Sequence, residues 1–268
     1  MVVKKIAILI GFLISHLLLL AQGELEEPDK VFYKNERTFA ILINSNGLGI
    51  NYRYGKRVTA LRKIIYEGDL VNIKHPKEIK LNTSQYYFST RSFVYGKLNQ
   101  FYNLRIGIGL QDEMFPKFDR GGISIRRYFA FGPAIGIIKP IYYLINIDMN
   151  NDAVPETQII EKFTYNQHIQ TSIIVGRASY FKGFNEISFI PGLYGKFGLM
   201  FEFGKYNETI HALDAGIIID AFVKKVPIMA IESNNLIFMT LFISYRFGKV
   251  IDARFKMKKT GLDEIITD

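Results

Sequence analysis

ISFIPGLYGKFGLMFEFG, residues 187–204, alternates along its whole length. Ile187, Phe189, Pro191, Leu193, Gly195, Phe197, Leu199, Phe201 and Phe203 fall on one face. Ser188, Ile190, Gly192, Tyr194, Lys196, Gly198, Met200, Glu202 and Gly204 fall on the other. Successive side chains of a strand point to opposite faces, so a sustained period of two predicts a strand between two different environments. The apolar face is too long for a common globular strand. An apolar-out, polar-in alternation over roughly 9–11 residues or more is the pattern of an outer-membrane barrel strand.

Working outward, the same alternation recurs on both sides. Residues 37–45 and 48–55 flank Ser45-Asn46-Gly47, and Asn-Gly marks a tight hairpin. Residues 58–74 form a weaker strand, with Leu61 and Ile65 set against Arg62. Lys63 and Glu67 interrupt its apolar face, so this strand is expected to leave the membrane near Glu67. Residues 101–112 alternate cleanly. Residues 122–139 keep one phase across Gly132-Pro133, which predicts a single long strand with a local irregularity at the proline. Residues 209–223 and 235–248 complete the set. Phe93–Gln100 reads as a short strand or inserted loop, and Ile159–Val175 as holding a helical turn. The expected fold is therefore all-β, an eight-stranded antiparallel transmembrane β-barrel with long outer loops. An even strand number puts both termini in the periplasm, with long loops (76–100 and 140–186) outside and short turns at the other end.

Residues 1–23 carry Lys4 and Lys5 before an apolar run, then Ala21-Gln22-Gly23, the layout of a cleaved secretory signal. The remainder divides into an N-terminal periplasmic segment (24–36), the barrel (37–248) and a charged C-terminal tail (249–268). The chain of 268 residues has no cysteine, which excludes disulfides and thiolate metal sites. The net charge is +9; without the leader's two lysines it is 32 − 25 = +7. That balance suits anionic lipid head groups. No motif joins the basic residues to base-stacking aromatics, so nucleic acid is not expected as a partner.

The inward faces predict a lumen charge network of Arg53, Arg105, Arg126, Lys196, Glu202, Asp214, Asp220 and Arg246. Eight strands enclose an interior just wide enough for side chains, and buried charges must pair. Inward glycines such as Gly107 and Gly198 leave room for the long side chains.

No catalytic, cofactor or metal site is expected. His211 is followed two residues on by Leu213, so no hydroxyl nucleophile is in register with it. His75 and His168 lack ligand spacing, and His16 lies in the leader. Asp148, Asn150 and Asp152 resemble part of a calcium loop, but Ala153 occupies the position that needs glycine.

The closing ISYRFG (243–248), with YGKLNQFYNLRIGIG (95–109) and GGISIRRYFAFGPAIGIIKP (121–140), resembles small outer-membrane β-barrels of Bacteroidota, the broad PorT-like and OmpA-barrel-like group. The resemblance covers roughly residues 36–248. It implies a bacterial outer-membrane location and, for PorT-like members, a link to type IX secretion. The tail after Gly248 departs from barrels that end on a terminal aromatic. The expected function is non-enzymatic: a structural or accessory barrel with a side-chain-filled lumen. Outer-membrane lipid, lipopolysaccharide and envelope proteins are its expected partners. The alternatives are a narrow pore or small-ligand transporter, and then a lipid-modifying enzyme.

Overall fold

The computed structural model describes residues 34–81, 92–119, 121–147, 157–164, 174–204, 208–230 and 234–252. Strands β1 (Lys34–Asn44), β2 (Gly47–Arg57) and β3 (Arg62–Ile73) form the first meander. A short hairpin of β4 (Lys80–Leu81) and β5 (Phe93–Val94) follows, and then the long strands β6 (Asn99–Phe115) and β7 (Ser124–Pro140). Next come β8 (Tyr142–Ile147), β9 (Thr157–Lys162) and β10 (Ile174–Arg177), then β11 (Ser188–Glu202), β12 (Thr209–Phe222) and β13 (Ile237–Asp252). Eight of these close a barrel in the order β1-β13-β12-β11-β7-β6-β3-β2. Every pair in it is antiparallel. Closure removes the sheet edge, which is the only way a sheet satisfies its backbone in hydrocarbon.

The wall separates two chemistries. Outside, Ile43, Ile50, Ile106, Phe131, Leu193, Phe197, Leu241 and their neighbours stand exposed to between 53% and 68% around the circumference. Inside lie the paired charges described below. A soluble protein would bury such a belt; here it faces lipid, and the barrel spans the bacterial outer membrane. Both described ends of the chain, the short turns and the β2–β3 connection lie at one end. The Ser45-Asn46 hairpin, β4–β5, β8–β10 and residues 223–230 lie at the other. In the orientation expected from the sequence, the first end is periplasmic and the second faces outward.

The stretch 187–204 forms β11, with Ile190, Tyr194, Lys196, Met200 and Glu202 buried and Phe189, Leu193 and Phe197 exposed. Residues 124–140 form one strand, as the unbroken phase predicts. Pro133 pairs with Leu193 of β11, whereas the pairing with β6 lapses between Arg105↔Ala134 and Ile108↔Phe131 and resumes in phase. A Cβ on Gly198 would come within 2.6 Å of the Tyr128 ring. Gly198→Val is therefore expected to cost about 1–3 kcal/mol by overpacking, seen as earlier loss of the compact band in heat-modifiable gel migration; unchanged migration would contradict this packing.

Several expectations need correction. The phase of β3 is reversed: Lys63, Ile65, Glu67, Asp69 and Val71 point inward, while Tyr66 and Leu70 face lipid. The strand does not leave the membrane near Glu67, because the β2–β3 register sets Glu67 opposite Arg53 inside the barrel. β1 begins at Lys34 and β13 continues to Asp252, pairing Lys34 with Asp252, so strand takes in residues 34–36 and 249–252. The described residues of 159–175 lie in or beside β9 and β10 and hold no helical turn. The 140–186 segment contains the sheet β10-β8-β9. It shares a small core with the β4–β5 hairpin, built on Phe93, Ile141, Tyr143, Ile145, Phe163 and Ile174. The leader, Asp148, Asn150, Asp152, His168 and residues 253–268 lie outside the described residues.

Candidate functional site

The lumen charges come from inward positions of all eight barrel strands, fixed there by the period of two. Asp220 on β12 accepts from Arg105 Nε at 2.7 Å and Nη2 at 2.8 Å, and from Asn103 at 2.9 Å. Arg105 Nη1 lies 3.6 Å from Asp69. Lys196 Nζ donates to Asp69 at 2.9 Å and lies 3.4 Å from Glu67. Glu67 accepts from Arg53 at 2.8 and 3.1 Å. Arg53 Nη1 is 3.9 Å from Asp214, and Asp214 accepts from Arg246 Nε at 2.9 Å. The result is one chain of alternating sign, from Asp220 through Arg105, Asp69, Lys196, Glu67, Arg53 and Asp214 to Arg246. Each of its side chains is at most 1% exposed. The Arg53 guanidinium also stacks over Tyr128, 3.9 Å from the ring centre.

A second cluster closes the periplasmic end. Arg126 lies 2.6 Å from Glu202, 3.3 Å from Glu36 and 3.7 Å from Glu113. Lys63 pairs with Glu36. Lys117, from the following turn, reaches in to Glu202 at 2.8 Å.

All eight residues singled out from the sequence thus lie buried in the lumen, Arg126 and Glu202 in the periplasmic cluster and the other six in the alternating chain. By themselves those eight carry a surplus of cations, 5 − 3 = +2. The missing partners are Glu36, Glu67 and Asp69, with Lys63. Adding them gives six cations and six anions, a neutral set. A low-dielectric interior requires that balance, since an unpaired buried charge costs several kcal/mol. The surplus was itself the signal: it demanded acids on inward faces. Ile64, Tyr66 and Leu70 alternating across Lys63, Glu67 and Asp69 could have supplied the phase.

Above the charges the lumen is apolar. Phe101, Phe222 and Phe238 meet with ring centres 5.5–5.9 Å apart. Residues 223–230 fold over them and bury Val226, Ile228 and Met229. Leu98 N donates to Ile228 O at 2.9 Å and Ala230 N to Gly96 O at 2.7 Å, while Asn99 Nδ2 donates to Pro227 O at 2.6 Å. The outer mouth is thereby covered by chain hydrogen-bonded to the start of β6.

His211 faces outward and hydrogen-bonds Tyr245 Oη at 2.9 Å, while His75 is buried beside Lys77 and Glu78. Among the described residues no group of three or more His, Cys, Asp or Glu is placed to hold a metal, and no helix is long and apolar enough to cross a membrane.

No protein-family model matches the sequence, and no curated protein matches it. Solved structures with a similar course of chain include Ail, the attachment invasion locus protein of Yersinia pestis. In complex with the heparin analogue sucrose octasulfate it is 8% identical, covering 82% of this chain and 100% of that one, at a TM-score of 0.39. Neisserial surface protein A is 9% identical, covering 81% and 95%, at 0.35. The N-terminal β-barrel domain of Pseudomonas aeruginosa OprF is 9% identical, covering 81% and 100%, at 0.32.

Proposed function

We propose that the chain is a closed, non-enzymatic outer-membrane barrel that acts through what it presents at its outer end. The observation that carries this reading is the filled lumen: an alternating chain of ion pairs, capped by three phenylalanines and a covering segment. A solute path would have to break buried charge pairs and displace that cover together. What remains accessible is the outward-facing assembly of β4–β5 and β8–β10, including exposed Phe181 and Phe184.

The purified full chain, inserted in a planar bilayer, is expected to pass no steady current. A stable ohmic current would move the assignment to a narrow pore. The resemblance to PorT-like barrels extends the proposal to an accessory role in an envelope or secretion assembly of a Bacteroidota cell. A photo-crosslinker at Phe181 in native membranes is expected to capture an envelope protein that one at Lys56, on the periplasmic rim, does not. The basic balance and the lipid-facing belt support outer-leaflet lipid and lipopolysaccharide as further contacts, and residues 1–23 are proposed as the cleaved signal.

A further inference from the structure

The outer rim holds a group of cations on the lipid side of the wall. Reading up the barrel from Gly68, the outward positions are first Leu70, Leu104 and Ile135, and then Asn72, Tyr102 and Ile137. The next row is Lys74, Gln100 and Lys139. Gln100 and Lys139 are cross-strand partners, and Gln100 Nε2 donates to Asn72 Oδ1 at 2.5 Å. Chemistry thus changes from apolar to amide and ammonium within two rows.

Lys139 is the unusual member. It points to the lipid side, yet it is only 4% exposed. Tyr180 and Phe184 fold down over it, with ring centres 4.7 and 5.1 Å from its ammonium. Tyr180 is held to the wall by a 2.6 Å bond between its hydroxyl and that of Tyr102. No carboxylate among the described residues is within ion-pair distance of Lys139, and the neighbouring charge is another cation, Arg177, itself under the same Tyr180 ring at 5.6 Å. Both border a pocket of about 10 Å³, room for a single water, with Ser179 and Tyr180. Arg177 and Gln100 also line a separate cleft of about 230 Å³, together with Lys74, Lys80 and Lys97. One acid, Glu78, lines this cleft and is already engaged: it accepts from Lys97 Nζ at 2.6 Å and from His75 N at 2.9 Å. Burial, and then the like charges of Lys74 and Arg177, hold the Lys97 ammonium below its ordinary pKa despite that bond. Four cations, Lys74, Lys80, Lys97 and Arg177, thus face one engaged acid around this cleft, a surplus that an anion would offset.

A groove lies below. Gly68 faces lipid with open space where a side chain would stand, its nearest prospective contact being 3.8 Å away. Residues of β13, β1, β2 and β3, among them Phe247, Phe39, Tyr52 and Leu70, with Leu104 of β6, border an apolar depression of about 450 Å³. From Gly68 to Lys74 the strand climbs about 20 Å at roughly 3.4 Å per residue. A barrel tilt of about 40° turns that into a vertical rise of about 15 Å, one leaflet of a hydrocarbon core about 30 Å thick.

We propose that the outer wall along β3 binds a phosphorylated glycolipid of the outer leaflet, its phosphate in the Lys74–Arg177 cleft and an acyl chain along the Gly68 groove. The exposed rings of Phe181 and Phe184, packed against Tyr180, offer faces on which a sugar ring stacks. This rests on the outer-membrane orientation proposed above, and deepens the expected lipid contact into a site.

The test uses the full chain in phosphatidylcholine nanodiscs doped with bis-phosphorylated lipid A, with retained lipid counted by native mass spectrometry. The wild type is expected to retain it, and Lys74→Gln with Arg177→Gln to lower retention by about tenfold or more, the loss of charge-assisted contacts. Gly68→Leu alters no cation and is expected to lower retention as well. Lys56→Gln, removing one charge at the periplasmic end, is expected to change nothing. Equal retention by the double variant, an equal loss in Lys56→Gln, or equal binding of dephosphorylated lipid A would overturn the site. Displacement of the lipid by inorganic phosphate at matched concentration would overturn the glycolipid in favour of a soluble phosphate. Failure of the underlying membrane reading has a separate signature, loss of outer-membrane fractionation and heat-modifiable migration, which every variant here is expected to keep.

Discussion

Asp220→Ala is expected to destabilise the barrel by about 3–5 kcal/mol, the cost of stranding a buried charge. Asp220 and Arg105 are both fully buried, and the carboxylate takes two guanidinium bonds and the Asn103 amide. After its removal Arg105 keeps only Asp69, at 3.6 Å, which Lys196 already uses. Desolvation of the guanidinium then stands without adequate compensation. The control is the double replacement Arg105→Leu with Asp220→Leu, which removes both charges and is expected to recover most of the loss. Chemical unfolding of the protein refolded into vesicles reads both. A loss below about 1 kcal/mol for Asp220→Ala, within the range of a solvated pair, would mean the lumen is wet enough to screen the pair, and would weaken the closed reading with it.

The second large effect lies one residue from the lumen on the opposite side of the wall. Phe197 is 53% exposed in the middle of β11, next to the buried Lys196. Phe197→Arg is expected to cost about 2–4 kcal/mol, as for a cation near the bilayer midplane, and Phe203→Arg, just past the periplasmic end of the same strand, about 0–1 kcal/mol. The contrast isolates depth, because both positions share one phase and one substitution. Equal costs at the two positions would mean that Phe197 does not stand in hydrocarbon. A positive charge is thus tolerated at 196 and rejected at 197, the consequence of a period of two across a wall between lipid and paired acids.

Much of this was legible in the sequence. Phase alone placed Lys196 and Glu202 inside and Phe197 outside, and carried 124–140 through Pro133 as one strand. β3 was misread because Ile65 is apolar and yet faces inward, fully buried. In a lumen that mixes ion pairs with apolar packing, a single apolar residue does not identify its face. The register with β2 does, by setting Glu67 beside Arg53 and pairing Asn51 with Asp69. The sheet in 140–186 was likewise hidden. Its strands are short, and they form because Tyr143, Ile145 and Ile174 bury against Phe93 from a separate hairpin.

By itself the sequence determined the barrel, its strand number and which side of most strands meets lipid, because a period of two is a local property and survives without any partner. The tertiary structure alone decided which acid neutralises which base, how the mouth is covered, and that Tyr180 and Phe184 return to bury Lys139 on the outer wall. Those outcomes depend on groups far apart in the chain, brought together by strand register and loop packing, and no local pattern encodes a distance between them.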